Sequence, residues 1–175
     1  MDKFREEIHE ILDKHPETYC GKVRAMVLDD NVSTIDFLKY VGLGTNLMLW
    51  VWGKGSMPTF MFKKYRELVA ESGVRLFFNE VPSDSLPTDI VLVDEVSGLD
   101  FTGTKCKVVV KDMVATVGDN HVWGYGKAWV VGNGAADAIM DDESTFIGKS
   151  EKCGCETFGN AKFHGKGYHL HTERK

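Results

Sequence analysis

The sequence holds no apolar run approaching the roughly 18 residues of a membrane helix, and a membrane role is not expected. It also lacks an excess of positive charge. Twenty-one Lys and Arg stand against 26 Asp and Glu, a net charge of −5, which argues against binding nucleic acid by neutralising phosphates. The opening Met1-Asp2-Lys3-Phe4-Arg5-Glu6-Glu7 has the charge of a surface helix, not the apolar centre of an export signal, so a cytoplasmic location is expected. Four cysteines in that compartment are reduced thiols or metal ligands rather than a disulfide framework. Proline is scarce, with all four (Pro16, Pro58, Pro82, Pro87) in the first 100 residues. What the chain does have is a hydrophobic fraction of 43%, too high for disorder, and 18 glycines.

Eleven of those glycines lie in the last 75 residues, where proline is absent. Charge divides at the same place. Residues 1–100 carry 11 basic and 17 acidic side chains, and residues 101–175 carry 10 and 9. The expected organisation is therefore α+β: a small α/β layer over 1–100, then an all-β, solenoid-like or meander region over 101–175, sharing one core.

In the first part Phe4, Ile8, Ile11 and Leu12 fall on one helical face before Pro16. Lys22 to Leu28 reads as a strand. Ser33 with Asp36 resembles a capping box that opens a short helix ending at Gly42. Leu47 to Trp52 reads as a buried strand. Phe62, Tyr65, Leu68 and Val69 form the stripe of a third helix before Gly73, and Val74–Phe78 and Ile90–Val93 read as further strands.

From about Cys106 the helix signal vanishes. Val114, Val122, Val130, Ala138 and Phe146 recur every eight residues, and Gly118, Gly126 and Gly134 keep the same step. Inside these blocks small or apolar residues alternate, as in Asn120/Val122/Gly124 and Ala128/Val130/Gly132. A period of two nested in a period of eight implies short strands joined by tight corners. Stacked, these make a β-solenoid with eight-residue rungs; the alternative is a meander or small sandwich of glycine-containing hairpins. Past Asp142 the phase flips, placing Ile147, Cys153, Cys155, Ala161 and Phe163 inward. The run Val-Trp-Gly-Tyr-Gly-Lys-Ala-Trp-Val-Val-Gly-Asn-Gly-Ala resembles the short-rung β-solenoid tails of phage and prophage proteins of gut bacteria, over residues of about 105–170. That resemblance implies a mobile-element origin and no particular chemistry.

Four groups of residues carry candidate chemistry. With even-numbered residues inward, His121, Trp123, Tyr125 and Trp129 face outward and form an aromatic partner-binding stripe, unless the N-terminal half covers it. Cys153, Cys155, His169 and His171 are candidate zinc ligands, but eight-residue rungs would separate the pairs by two strand spacings, about 9–10 Å. Asp29-Asp30, Gly53-Lys54, Asn79-Glu80 and Asp94-Glu95 follow expected strands, where a Mg²⁺-dependent enzyme would gather acids around a phosphate substrate. Ile90–Val96 with Thr102-Gly103-Thr104 resembles the phosphoribosyltransferase signature, though with too long a gap and no helix after the loop. No complete catalytic or cofactor motif results. The leading expectation is a non-enzymatic scaffold for a protein partner, in its most specific form a phage-encoded, anti-CRISPR-like inhibitor of a bacterial defence nuclease acting in the host cytoplasm. The alternatives are the Mg²⁺-dependent enzyme and a self-assembling module. The last strand is compatible equally with a homodimer through the last turns and with a monomer whose edge Glu173-Arg174-Lys175 guard.

Overall fold

The computed structural model describes residues 3–14, 21–41 and 59–173. Two compact units divide at Arg75 and Leu76. Among the described residues the first unit contains helices only: α1 (Lys3–Lys14), α2 (Gly21–Leu28), α3 (Thr34–Val41), α4 (Thr59–Lys64) and α5 (Arg66–Glu71). The 3.6-residue period of α1 buries Phe4, Ile8 and Leu12 as expected. Ser33 Oγ accepts the Asp36 backbone N–H at 3.0 Å and so opens α3, whose Phe37 is fully buried. The Leu47–Trp52 strand, Gly42 and Gly53-Lys54 lie outside the described residues.

Residues 22–28, expected as a strand, form the helix α2 instead. Lys, Arg, Ala and Met are good helix formers, and only Val27 of residues 25–28 is buried. The end of α2 is held from outside. The Arg5 guanidinium, 2% exposed, donates to the carbonyls of Met26, Val27, Asp29 and Val32. Those contacts satisfy carbonyls that a helix leaves without a partner at its C-terminus. A strand reading of the local sequence has no access to this contact from 21 to 27 residues away.

The second unit is a β-solenoid of about six turns. Its strands are β1 (Leu76–Phe78), β2 (Ile90–Val93), β3 (Leu99–Asp100), β4 (Lys107–Lys111), β5 (Val114–Val117), β6 (His121–Tyr125), β7 (Trp129–Gly132), β8 (Asp137–Met140), β9 (Thr145–Gly148), β10 (Gly154–Phe158), β11 (Lys162–Gly165) and β12 (Tyr168–Thr172). A seven-stranded sheet runs β1-β2-β4-β6-β8-β10-β12, and a five-stranded sheet runs β11-β9-β7-β5-β3. All pairings are parallel. The strands over 76–78 and 90–93, grouped with the N-terminal part on composition, are thus hydrogen-bonded into the solenoid, and the α/β layer expected over 1–100 is a helical unit followed by solenoid strands.

The eight-residue step is half a turn, not a rung. Each step carries the chain to the opposite sheet, and register partners stand 14 to 17 residues apart, as Val108 with Val122 and Val91 with Val108. The inward column of the larger sheet is Val91, Val108, Val122, Ala138, Cys155 and His169; that of the smaller is Leu99, Ala115, Val130, Phe146 and Phe163. Two phase expectations need correction. Val114 is 44% exposed and Ala115 takes its inward place, because the Gly118–Asp119 corner advances the pleat by an odd number of residues. Ile147 points out and Phe146 in, because the later flip falls between Gly148 and Cys153 rather than at Asp142. Cys153, Cys155 and Ala161 are inward, with Phe163 packed against them.

Two devices keep the turns in step. A Cβ on Gly124 would stand 2.3 Å from Met140 Cε, and one on Gly132 would stand 2.5 Å from Phe146 Cζ. The large residue of one turn thus fills the volume that glycine vacates in the turn before it. At the corner after the larger sheet, Asp112, Gly126, Asp142 and Gly159 all adopt φ near +60°. Asp and Gly alternate there: Asp112 Oδ1 accepts the Lys127 N–H, Asp142 Oδ2 accepts the Gly126 N–H, and a Cβ at Gly126 would collide with Asp112.

Candidate binding face and the open end of the solenoid

The four residues of the expected aromatic stripe do not share a face. His121, Trp123 and Tyr125 project outward from β6 in the larger sheet, whereas Trp129 projects outward from β7 in the smaller one. The alternation was legible; the assignment of neighbouring blocks to opposite sheets was not. Trp123 and Tyr125 are 6% and 4% exposed and lie outside the solenoid's interior cluster. His121 is exposed and pairs through Nδ1 with Asp137 at 3.1 Å, across adjacent strands. Trp129 is 47% exposed. Its register neighbours are Val114, itself exposed, on one side and Thr145 on the other. Two residues along, Val131 and Ile147 are half-buried and in register. The outward face of the smaller sheet is therefore a flat apolar and β-branched surface around one exposed indole. Val114 and Ile147 belong to it, although sequence periodicity alone placed both inside.

The acids expected at strand ends do not assemble. Asp29 and Asp30 follow a helix. Asn79 and Asp94 do meet at neighbouring strand ends, but Asn79 Oδ1 accepts the backbone N–H groups of Asp94, Glu95 and Val96, and its Nδ2 donates to Asp94 Oδ1. That arrangement closes a turn. Thr102 likewise donates through its N–H and hydroxyl to Asp100, holding that carboxyl below its usual range, while Thr104 Oγ1 donates to the Phe101 carbonyl. The Thr-Gly-Thr hydroxyls are engaged in the corner. No group of three or more His, Cys, Asp and Glu placed to hold a metal ion occurs among the described residues.

The cysteines and histidines considered as zinc ligands are closer than eight-residue rungs would allow. Strand β12 pairs with β10, placing His169 beside Cys155 and His171 beside Thr157, one strand spacing away. Their chemistry nevertheless divides. Cys153 and Cys155 are buried, and Cys153 Sγ contacts the carbonyls of Gly132 and Gly134 at 3.5 and 3.3 Å. Burial, with Asp137, Cys153 and Glu156 adding to it, pushes the Cys155 thiol up to about 12, and burial also raises Cys106. The histidines form the exposed end of the stack. His169 Nε2 and His171 Nδ1 each lie 2.9 Å from Thr157 Oγ1, and Phe163 stacks on the His169 ring with centroids 4.9 Å apart.

Native Cys155 should accordingly resist alkylation at pH 8, since the thiolate is the nucleophile, and react once the chain is unfolded. The same shift has a stability consequence. The unfolded chain loses this proton near the ordinary 9.0, but the folded chain only near 12, so raising the pH through that window favours unfolding. Mass-spectrometric counting of carbamidomethyl groups with and without urea checks the first statement, and melting temperatures from pH 8 to 11 check the second.

No protein-family model, curated protein or solved structure matches the chain. No helix among the described residues is long and apolar enough to cross a membrane.

Proposed function

We propose that the protein is a non-enzymatic binding scaffold whose smaller solenoid sheet presents Trp129 and Val114 to a protein partner. The observation that carries this reading is the exposure of both side chains, 47% and 44%, side by side in register on a rigid parallel sheet. Covering the exposed part of this indole removes about half of the roughly 150–250 Å² that an aromatic side chain buries in full. Central interface tryptophans are commonly among the few residues that dominate affinity. A laddered parallel sheet packed on one buried core loses little conformational freedom on binding, which favours its use as a platform.

The more specific reading, an inhibitor of a bacterial defence nuclease carried by a phage, rests on the resemblance over residues of about 105–170. It names the first partners to try. Pull-down from a bacterial lysate, compared between the unsubstituted chain and Trp129→Ser, tests the proposal. The serine variant should lose the partner, with affinity down by about 30-fold or more, the ~2 kcal/mol of an interface hot spot. Its melting temperature should stay within about 2 °C, because the indole is already half in water. An equal drop in melting temperature and in binding would instead make Trp129 a folding residue.

A second reading, self-assembly, is favoured by β12, which ends the larger sheet with Tyr168 68% exposed. Light scattering across a concentration series separates a monomeric scaffold from a self-pairing module.

A further inference from the structure

The last turn breaks the chemical pattern of the interior. In the column of the larger sheet that ends at His171, the preceding residues are Val93, Val110, Gly124, Met140 and Thr157; in the column that ends at His169, they run from Val91 to Cys155. Imidazoles occupy these columns only at β12, the last described strand, and both are exposed. Exposure favours polar groups, but it does not need two ring nitrogens aimed at one atom. Because His169 and His171 are two apart on β12, the pleat puts them on the same side. Their Nε2 and Nδ1 converge on the buried Thr157 Oγ1, each at 2.9 Å, so the two nitrogens are at most twice that distance apart.

We propose that this open end is a transition-metal site in which His169 Nε2 and His171 Nδ1 bind a borderline divalent cation such as Zn²⁺, Ni²⁺ or Cu²⁺. Such a cation holds imidazole nitrogens at about 2.0–2.1 Å, and small rotations of the two rings away from Thr157 bring both lone pairs onto one ion at the solvent side. Neutral nitrogen donors select these metals over Mg²⁺ and Ca²⁺, which take oxygen. The Phe163 ring, 9° from parallel with His169, supports one face of that ligand. Cys155 stands in register with His169 but is buried beneath it, 3% exposed, so the protein supplies two ligands, and water or a partner's side chain completes the shell. The site is thus distinct from a Cys₂His₂ arrangement of the four candidate ligands, and it does not depend on the Trp129 face.

Calorimetric titration of the untagged chain with Ni²⁺, and separately with Zn²⁺, should show one equivalent bound with micromolar affinity. His169→Ala and His171→Ala should each weaken binding by about tenfold or more, while His164→Ala, on β11, should bind like the unsubstituted chain. Melting curves show whether the variants fold. A measurement needing no variant is the electron paramagnetic resonance of the Cu²⁺-loaded chain, where hyperfine structure from two imidazole nitrogens is expected. The proposal is overturned by the absence of saturable binding below about 1 mM, by a folded His169→Ala/His171→Ala double variant that keeps its affinity, or by a copper spectrum with oxygen ligands alone.

Discussion

Replacing Phe146 by Ala should remove about 3–5 kcal/mol from the stability of the solenoid, read as a lower urea midpoint at unchanged slope. Phe146 is fully buried in the middle of the smaller sheet's inward column, between Val130 and Phe163. Its ring stacks on Phe163 with centroids 6.2 Å apart, and it occupies the space that Gly132 leaves open. Truncation opens a cavity at β9, whose backbone is laddered to β7 on one side and β11 on the other, so collapse around it is restricted. The partnership with Gly132 makes a sharper prediction. Gly132→Val alone overpacks the same volume and should cost about 1–3 kcal/mol. In the double variant the valine occupies part of the vacated space, and the combined loss should fall short of the sum by about 1 kcal/mol or more. Strict additivity would show that the two positions do not share one volume.

In the first unit the largest loss is expected at Arg5. Arg5→Ala should destabilise the helices by about 3 kcal/mol, because the carbonyls of Met26, Val27, Asp29 and Val32 lose a buried donor together. Arg5→Lys should recover little of it, since an ammonium on a single stem cannot span carbonyls that the planar fork reaches at once. Hydrogen exchange followed by mass spectrometry gives the readout: amide protection in α2 should fall in both variants, with β6–β9 as internal reference. Protection in α2 that survives Arg5→Ala would mean that the helix end is satisfied without the guanidinium.

Both predictions concern contacts of different legibility. The alternation of small and apolar residues from Asn120 to Met140 announced short strands with one inward side, and Val122, Val130 and Ala138 are inward. The helical face of Phe4, Ile8 and Leu12 was equally readable, because a period of 3.6 is written locally. Residues 22–28 were not, since a helix there is completed by Arg5 through backbone carbonyls that carry no sequence signature. Of the candidate residues, the exposure of Trp129 followed from alternation, but its separation from Trp123 and Tyr125 did not. Two residues six apart on a repeating chain look like neighbours until the chain is known to change sheets between them. Thr157 was missed altogether, because nothing in its sequence surroundings marks a hydroxyl that two histidines will later approach.

The sequence by itself therefore determined the helical start, the glycine-cornered repeat after Cys106 and the inward side of its middle turns. Each of these depends on interactions within a few residues, where composition and period are sufficient. The tertiary structure alone decided that a turn holds two strands rather than one, that Val114 and Ile147 face out, and that the final histidines meet over Thr157. A single odd-numbered corner reverses every side chain beyond it, and only stacking against the neighbouring turn selects which corner is odd.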